Sequence, residues 1–307
     1  MIKRRLFAAL LMGLALAPAA QAACPDDAAI ARFAGQILQR QSPTPFVALS
    51  PADGRCVQDK LIAIFAQPRS FPLVAFSESP SDSTWLENAP GDAVGFKLGL
   101  TNPAIQQRFG IDHPIRGSIF HATLRAASGA EIEARFAAVP VLEADMLVRV
   151  SMGGVETALN DHAALIRHID QVIPFIELPD LVYAPDHRPS LGDLLAANVG
   201  ARLGVQGRPI AVAPSAEFAA ALGRMSISLH QDGREVSRAP GAAILGHPLN
   251  ALAWIARDLA REGRPLRAGD IISLGSFSPP QPVVAGQVWT ARYEGLDQAQ
   301  DVVVRFR

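Results

Sequence analysis

Several signatures of enzyme chemistry are absent from the 307-residue sequence. It has no G-x-S-x-G elbow for a nucleophilic serine, no H-E-x-x-H zinc motif, no P-loop and no G-x-G-x-x-G stretch. Internal repeats and low-complexity tracts are also missing. Serine-based hydrolysis and nucleotide chemistry therefore lose support, and carboxylates, one lysine and a few histidines remain as candidate functional groups.

Basic residues are not in excess. Residues 3–5 contribute three of the 28 lysines and arginines, which leaves 25 against 29 acidic residues and a net charge near −4 for the remainder. No cluster of the kind that neutralises phosphate groups is present. We therefore expect no nucleic-acid partner.

Cysteine is scarce as well, because only Cys24 and Cys56 occur. They lack histidines at ligand spacing, so they do not indicate a zinc site. In an oxidising compartment the two would form a disulfide that ties down the N-terminal part of the chain.

Long apolar runs are limited to the N-terminus. The run follows the basic residues 3–5 and precedes an A-Q-A triplet at 20–22, which predicts a secretory signal peptide cleaved near Ala22. We expect a periplasmic or secreted protein, with no membrane partner once the signal is removed.

Helix and turn signals divide the chain into segments. Apolar residues at helical spacing after Asp26 predict a first helix, and residues 57–67 predict a second. Proline and serine dominate 68–92, which predicts a loop. The predicted organisation is a signal peptide at 1–22, a helical N-terminal region with a Pro/Ser-rich loop at 23–92, and a catalytic domain at 93–307.

The third segment mixes helices and strands without a regular βαβ rhythm. Asn102, Pro103 and Gly110 mark the start and end of a short helix, and residues 247–263 predict a long amphipathic one. A third helix is predicted at 161–177. Strands are predicted near 115–125, 131–150, 209–213 and 225–230, with a pair at 269–277 and 287–295. This mixture indicates an α+β architecture.

Two acidic residues interrupt the predicted strand VLEADMLVRV at 141–150. Glu143 and Asp145 lie two positions apart and therefore point to the same face of the strand. One interpretation is a strand with one solvated face. The other is a metal site, because Glu177 lies in the apolar stretch VIPFIELPDLV, where an unpartnered acid would be costly to bury. Three carboxylates provide the oxygen ligands that Mg²⁺ or Mn²⁺ prefers.

Lys97 is unusual because lysine is rare here. Beyond residues 3–5 the only lysines are Lys60 and Lys97, so arginine is the default cation. A desolvated lysine can exchange its proton, which makes Lys97 a candidate for acid–base chemistry or substrate anchoring. Gly95 and Gly99 share its face and are expected to leave space beside the ammonium. The alternative is a surface lysine whose stem covers apolar groups.

The histidines discriminate less between functions. His113 precedes a proline in a predicted turn, and His247 opens a predicted helix, where it can act as a cap. His162 and His168 are six residues apart on the predicted helix and so face different sides.

Six blocks resemble, in order, the 2-keto-4-pentenoate hydratase branch of the fumarylacetoacetate hydrolase superfamily. They lie between about residues 93 and 307, and the most specific are LGHPLNA and PLRAGDII. The resemblance implies a mixed β-roll or sandwich with flanking helices and a small helical N-terminal part. It also implies a homo-oligomer and a small 2-oxo acid as substrate.

The same resemblance assigns roles to individual residues. It implies Mg²⁺ or Mn²⁺ bound by Glu143, Asp145 and Glu177, and a catalytic role for Lys97. Substrate contacts are implied for Asn198 and for the late motif, which here reads Leu274, Gly275 and Ser276. The expected reaction is a metal-dependent addition of water to a 2-hydroxy-dienoate.

The sequence departs from the family pattern in three places. Asp145 replaces a glutamate, and Leu274 replaces a threonine. In the family's D-x-P-D turn, Ile115 replaces the second aspartate, so Asp112 and His113 become the candidates for proton transfer. Three functions remain open: a hydratase, a C–C bond hydrolase or decarboxylase of the same superfamily, and a non-catalytic periplasmic oxo-acid-binding protein.

Overall fold

The structure is a computed structural model that describes residues 24–66 and 90–307. The predicted signal peptide at 1–22 and most of the predicted Pro/Ser-rich loop at 68–92 lie outside the described residues.

Seven α-helices occur in the described ranges. None of these helices is long and apolar enough to cross a membrane. They are α1 (Asp27–Leu38), α2 (Pro51–Phe65), α3 (Pro103–Arg108), α4 (His162–Leu165), α5 (Leu191–Ala196), α6 (Ala216–Arg224) and α7 (Pro248–Arg261).

The strands of the described residues number fourteen. They are β1 (Ala93–Gly99), β2 (Ile115–Phe120), β3 (Ala126–Ala127), β4 (Ala130–Ile132), β5 (Val141–Val150), β6 (Ile169–Leu178), β7 (Leu203–Gln206), β8 (Ile210–Ala211), β9 (Ser226–Gln231), β10 (Arg234–Pro240), β11 (Ile271–Ser273), β12 (Gln281–Pro282), β13 (Val288–Glu294) and β14 (Val302–Phe306).

The strands form two mixed sheets. The larger sheet has nine strands in the order β2-β1-β11-β5-β6-β7-β3, with β12 paired to β5 and β8 paired to β6. The smaller has five in the order β10-β9-β13-β14-β4. Most neighbours are antiparallel, but β1 and β11, β3 and β7, and β14 and β4 run parallel. The predicted α+β class is confirmed.

The helix boundaries follow the capping residues. Asp26 caps α1. Asn102 caps α3, and Pro103 occupies its first turn, as predicted. Helix α2 starts six residues earlier than predicted. Ser50 and Asp53 form a reciprocal capping box, so Pro51 begins the helix instead of breaking the chain.

The prediction of one helix over 161–177 is wrong. Helix α4 ends at Leu165, a short 3₁₀ turn follows, and β6 begins at Ile169. Every residue of β6 from Val172 to Leu178 is buried, so the apolar run belongs to a strand covered on both faces. Glu177 is therefore on a strand, which decides how it meets Glu143 and Asp145.

Other strand predictions need adjustment. The stretch 131–150 contains β4 and β5 separated by turns, and the strands predicted at 269–277 and 287–295 do not pair. Strand β11 lies in the large sheet between β1 and β5, whereas β13 lies in the small sheet between β9 and β14. Local alternation indicated the strands but carried no information about their partners.

Strand β5 separates two apolar clusters. Ala144, Met146 and Val148 belong to the main core, which also contains the inner face of α7. On the opposite face, Leu147 is fully buried and packs with Ile119, Ile173 and Phe175. The face that carries Glu143 and Asp145 is therefore not a solvated face, which removes the simpler interpretation of the two acids.

The N-terminal helices dock on the rest of the protein. The disulfide between Cys24 and Cys56 is present, as predicted, with the Cα atoms 5.8 Å apart. Helix α2 crosses α5 so closely that a Cβ atom on Gly54 would lie 2.3 Å from the Gly192 carbonyl oxygen. At this crossing Gln58 reaches β2, where its Nε2 donates to the Arg116 carbonyl at 2.9 Å.

Candidate functional site

Three carboxylates share one face of two adjacent strands. Strands β5 and β6 are antiparallel, and Glu143 stands directly opposite Glu177. Asp145 follows on the same face. Because opposed side chains in an antiparallel pair have Cβ atoms roughly 5 Å apart, the register brings the three acids together, as the sequence predicts. We call Glu143, Asp145 and Glu177 the carboxylate trio.

Lys97 joins the trio from another strand of the sheet. Its Nζ lies 2.6 Å from Oε1 of Glu177, and each side chain is only 4% exposed. The expectation of open space at its neighbouring glycines is wrong. A Cβ on Gly95 would lie 1.8 Å from the Ile271 carbonyl oxygen, and one on Gly99 would lie 2.5 Å from a methyl group of Val199. The glycines allow close packing of neighbouring segments.

The trio carries more negative charge than its surroundings balance. Burial, followed by the charge of Glu177, raises the pKa of Glu143 to about 8, against the opposing effect of Lys97. Burial and Glu177 also raise the pKa of Asp145 to about 7, although hydrogen bonds from Ser273 and the Met146 amide oppose that rise. Both shifts have the sign expected for acids crowded in a space that one ammonium cannot neutralise.

The charge on Lys97 is favoured by the same arrangement. Burial lowers its pKa, but Glu177 and Glu143 act in the opposite direction, and the net pKa is raised above the usual lysine value. Lys97 is therefore protonated where it contacts Glu177. Lys97 is therefore better suited to act as a fixed positive charge than as a proton acceptor.

Asp145 is held by two hydrogen bonds. Its Oδ2 accepts from the Ser273 hydroxyl at 2.6 Å, and its Oδ1 accepts from the Met146 amide at 2.5 Å. Ser273 lies on β11, directly opposite Leu147 of β5. Both oxygens of this fully buried carboxylate thus have a fixed direction.

Tyr293 supports the trio from the second sheet. Its hydroxyl accepts the Phe175 amide at 2.8 Å and donates toward the carbonyl oxygens of Asp145 at 2.6 Å and Phe175 at 2.8 Å. Burial raises the pKa of Tyr293, so the hydroxyl keeps its proton. The Tyr293 hydroxyl therefore links the Asp145 carbonyl of β5 to the backbone of Phe175 in β6. Phe175 lies two residues before Glu177.

Asn198 is buried and fixed by neighbouring segments. Its Oδ1 accepts from the Ser118 amide at 2.8 Å and from Gln58 at 3.3 Å, while its Nδ2 donates to the Ser118 carbonyl at 3.0 Å. These bonds connect α2, β2 and the turn after α5. The implied substrate contact of Asn198 stays a prediction, and the structure adds a clear positioning role.

Asp112 and His113 are exposed in the turn before β2. The Nδ1 of His113 donates to the Pro114 carbonyl at 2.7 Å, and its ring stacks on Trp254 of α7 with centroids 6.1 Å apart. No hydrogen bond or ion pair joins Asp112 or His113 to the trio within the described residues. Their proton-transfer roles remain predictions.

The late motif Leu274, Gly275 and Ser276 follows β11. Leu274 is buried in the main core. Gly275 has a φ of +110°, and a Cβ there would lie 2.6 Å from Thr101, so glycine is required. The Ser276 hydroxyl donates to the Ser278 carbonyl at 2.6 Å. Their implied substrate contacts are untested by this arrangement.

The remaining histidines have structural partners. His247 caps α7 by accepting the Leu249 amide, as the sequence suggested, and donates through Nε2 to the Ala219 carbonyl at 2.9 Å. Its ring stacks on His162 at 3.9 Å between centroids. Nδ1 of His168 donates to the Gly153 carbonyl at 3.1 Å.

The trio fits a divalent cation in its charge and donor chemistry. Three ionised carboxylates and one ammonium sum to two negative charges, and all the donor atoms are the oxygens that Mg²⁺ and Mn²⁺ favour. In the described part of the chain, no group of three acidic, histidine or cysteine side chains is already arranged as a metal centre. The Lys97–Glu177 ion pair holds one of the three carboxylates.

Two supporting residues, Ser273 and Tyr293, are absent from the sequence predictions. Ser273 belongs to a predicted strand, and its position next to Lys97 depends on the β1–β11 pairing. Tyr293 is one of only two tyrosines in the sequence. The rarity of tyrosine could have drawn attention to Tyr293. It does not predict which strands the Tyr293 hydroxyl contacts.

No protein-family model matches the chain, but individual proteins do. It is 35% identical over 204 residues to a 2-keto-4-pentenoate hydratase of Paraburkholderia phymatum, covering 66% of this chain and 75% of that protein. It is 34% identical over 206 residues to the TodF product hydratase of Pseudomonas putida, covering 66% and 73% of the two chains.

A solved structure resembles the whole fold. The 4-oxalocrotonate decarboxylase from Pseudomonas putida G7, complexed with magnesium and adipate, superposes with a TM-score of 0.73 at 25% identity. The match covers 91% of this chain and 96% of that one. The architecture is therefore of the fumarylacetoacetate hydrolase type. Within that superfamily, the chain belongs to the 2-keto-4-pentenoate hydratase family.

Proposed function

We propose that the protein is an exported, divalent-metal-dependent hydro-lyase that adds water to a small 2-hydroxy-dienoate or 2-oxo acid. The observation that carries the proposal is the carboxylate trio on one face of β5 and β6 beside Lys97, with Asp145 and Glu177 buried and Glu143 partly exposed. The family membership supports the reaction type, because the relatives are named as hydratases.

Glu143, Asp145 and Glu177 would hold Mg²⁺ or Mn²⁺. Two structures of the similar decarboxylase were obtained with magnesium and with calcium, which supports a divalent ion in this fold. When bound, the cation would supply positive charge to the oxygens of an enolate-like substrate. The buried site would exclude bulk water from those charges.

Lys97 would bind the substrate carboxylate. Its ammonium is protonated, buried and fixed by Glu177, so it presents a positive charge without an additional conformational cost. Ser273 and Tyr293 would keep Asp145 and the neighbouring strand in place. Asp112 and His113 would transfer a proton only if their turn approached the trio.

The direct test follows the ultraviolet absorbance of 2-hydroxypenta-2,4-dienoate with purified protein and Mg²⁺. We expect turnover by the parent and none by Glu143→Ala. Glu217→Ala is the matched control, because Glu217 is an exposed acid on α6. Equal rates for the parent and Glu143→Ala would remove Glu143 from the mechanism.

Decarboxylation is the second candidate function. The decarboxylase structure aligns with 91% of this chain and superposes with a TM-score of 0.73. Carbon dioxide release from 4-oxalocrotonate, without loss of the dienoate, would favour this function. Calorimetric binding of oxalate with Mg²⁺, without turnover of either compound, would favour a non-catalytic oxo-acid-binding protein.

Export and self-association are further parts of the proposal. The Cys24–Cys56 disulfide supports an oxidising compartment. N-terminal sequencing of the protein recovered from a periplasmic fraction should begin near Ala23, and an intact Met1 in the cytoplasm would contradict export. Light scattering coupled to size exclusion should give a multiple of the chain mass if the protein is a homo-oligomer.

A further inference from the structure

A small cavity lies at the edge of the large sheet, next to β7. Its volume is about 150 Å³, and its lining combines apolar side chains with Arg125, Arg202 and the backbone of Gly204. Gly204 stands opposite Glu177 in the sheet, so the cavity adjoins β6, which carries one member of the trio. The charge of Arg202 is nevertheless not among the main influences on Glu143 or Asp145 within the described residues.

Arg202 is buried without a partner for its charge. It is 7% exposed, and its Nε is inaccessible to solvent and makes no hydrogen bond. Its backbone carbonyl accepts from the Thr123 hydroxyl at 3.1 Å, but its guanidinium forms no hydrogen bond or ion pair within the described part of the chain. A buried guanidinium is normally paired, because removing its charge from water is costly.

The charges around the cavity do not supply that partner. Burial lowers the pKa of Arg202, Asp180 raises it and Arg40 lowers it further, so one acid and one base act on it from nearby. The carboxylate of Asp180 already accepts backbone amides of Ala138, Val139 and Val182. The exposed Arg125 adds a second positive charge to the cavity lining, and among the described residues its side chain makes only a long hydrogen bond of 3.5 Å to His121.

We propose that this cavity is a binding site for a small oxyanion, a carboxylate or phosphate group, held by the guanidinium of Arg202 with Arg125 beside it. A guanidinium offers two parallel N–H groups that match the two oxygens of such a group. A cavity of about 150 Å³ has room for phosphate or a short carboxylic acid. The site is separate from the carboxylate trio.

Thermal unfolding of the purified protein tests the proposal. Inorganic phosphate and acetate are titrated separately against sodium chloride at constant ionic strength, and Kd is measured by calorimetry. At an anion concentration on the order of 100 times Kd, the unfolding midpoint should rise by about 5 °C. A response to phosphate alone or to acetate alone supports the site and identifies which oxyanion it takes.

Arg202→Met is the decisive variant, and Arg208→Met is its matched control. Arg202 directly precedes β7, and Arg208 is an exposed arginine two residues after the end of that strand. Arg202→Met should abolish the anion response and, since it removes an unpaired buried charge, should not lower the midpoint measured without anion. Arg208→Met should respond like the parent.

Three results would overturn the proposal. They are a parent that responds to neither anion, an equal response to sodium chloride, and an Arg202→Met variant that keeps the anion response. If Arg202→Met lowers the midpoint without anion, the calorimetric heats of the still-folded variant decide. Parent-like heats would then also overturn the proposal, whereas absent heats would support it.

Discussion

The two ends of the β5–β6 strand pair handle charge in opposite ways. At one end, Arg149 and Asp170 form a bidentate pair at 2.9 and 2.7 Å, with each side chain 41% exposed. At the other end the carboxylate trio shares a single ammonium, and Asp145 and Glu177 are buried while Glu143 is partly exposed. The exposed pair is balanced and screened by water. The trio, once ionised, has excess negative charge that bound protons or a further cation have to balance.

The pKa shifts express the same contrast. A hydrogen bond to Arg149 lowers the pKa of Asp170, against a small opposing effect of burial, so the exposed pair favours the ionised acid. At the buried end the pKa values of Glu143 and Asp145 rise to about 8 and about 7. Carboxyl groups on the same pair of strands therefore have pKa values shifted in opposite directions, because their surroundings differ.

Removing the buried ammonium should produce the largest effect. Lys97→Met leaves the trio without a cation and the buried Glu177 without its partner, and breaking a buried ion pair costs about 3–5 kcal/mol. We expect the free energy of unfolding at pH 8, measured by urea denaturation without metal, to fall by that amount. Added Mg²⁺ should restore part of it.

Lys60→Met is the matched control for Lys97→Met. Lys60 pairs with Asp27 at 2.5 Å, but both side chains are well exposed. Its replacement should change the free energy of unfolding by less than about 1 kcal/mol. Equal losses in the two variants would show that burial of the Lys97 charge has no special energetic weight.

The next largest effect should be on how stability depends on pH, which should differ between the two ends of the β5–β6 strand pair. Raised pKa values mean that the folded state binds protons more tightly than the unfolded state. The stability contributed by Glu143 and Asp145 is thus full below about pH 4 and is lost as the pH rises through 7 and 8. Since a metal ion takes the place of these protons, stabilisation by Mg²⁺ should be larger at pH 9 than at pH 6.

Thermal unfolding with and without Mg²⁺ across this range gives the measurement. The Glu143→Gln variant should have a smaller Mg²⁺-induced shift at pH 9. Asp170, whose pKa is lowered, has the opposite sign: its contribution is present above the unfolded pKa and is lost as the pH falls. An Mg²⁺ effect independent of pH would contradict the assignment of the two buried acids as its ligands.

Tyr293→Phe should have an intermediate effect. It removes the hydroxyl that bonds the Phe175 amide and the Asp145 carbonyl, which should lower the free energy of unfolding by about 1–3 kcal/mol. Since supporting residues orient metal ligands, the calorimetric Kd for Mn²⁺ should rise about tenfold or more.

The control for Tyr293 is Tyr183→Phe. Tyr183 is also buried and donates one hydrogen bond, to the Asp193 carbonyl at 3.1 Å. Its loss should reduce stability without changing Mn²⁺ affinity. If the two variants bind Mn²⁺ equally well, Tyr293 does not position the trio.

The smallest effect is expected at the exposed end. Arg149→Ala should lower the free energy of unfolding by about 0.5 kcal/mol, because exposed ion pairs contribute little. Mn²⁺ affinity should be unchanged, since Arg149 and the trio lie at different ends of the strands. A marked loss of affinity would break the distinction between the two ends.

The sequence predicts the ligands of the trio better than it predicts their setting. The two-residue spacing of Glu143 and Asp145 on a strand defines a shared face from local geometry alone. The apolar neighbours of Glu177 predict that this acid has partners, even though the same segment is wrongly predicted to be a helix. Its cross-strand pairing with Glu143 is a long-range property and could not be read locally.

Helix ends were predictable for a similar local reason. Caps such as Asp26, Asn102 and His247 act within a few residues, so their signals survive in the sequence. The contributions of Ser273 and Tyr293 depend on which strands become neighbours. No local pattern encodes that choice, and the resemblance to a family supplied the fold but not these contacts.

The crossing of α2 and α5 at Gly54 and Gly192 has a consequence for evolution. Two backbones meet there without side chains between them, so neither position can accept even a methyl group unless the helices separate. A homologue that replaced either glycine would have to shift its N-terminal helices away from α5. That shift would also move Gln58 away from the Arg116 carbonyl.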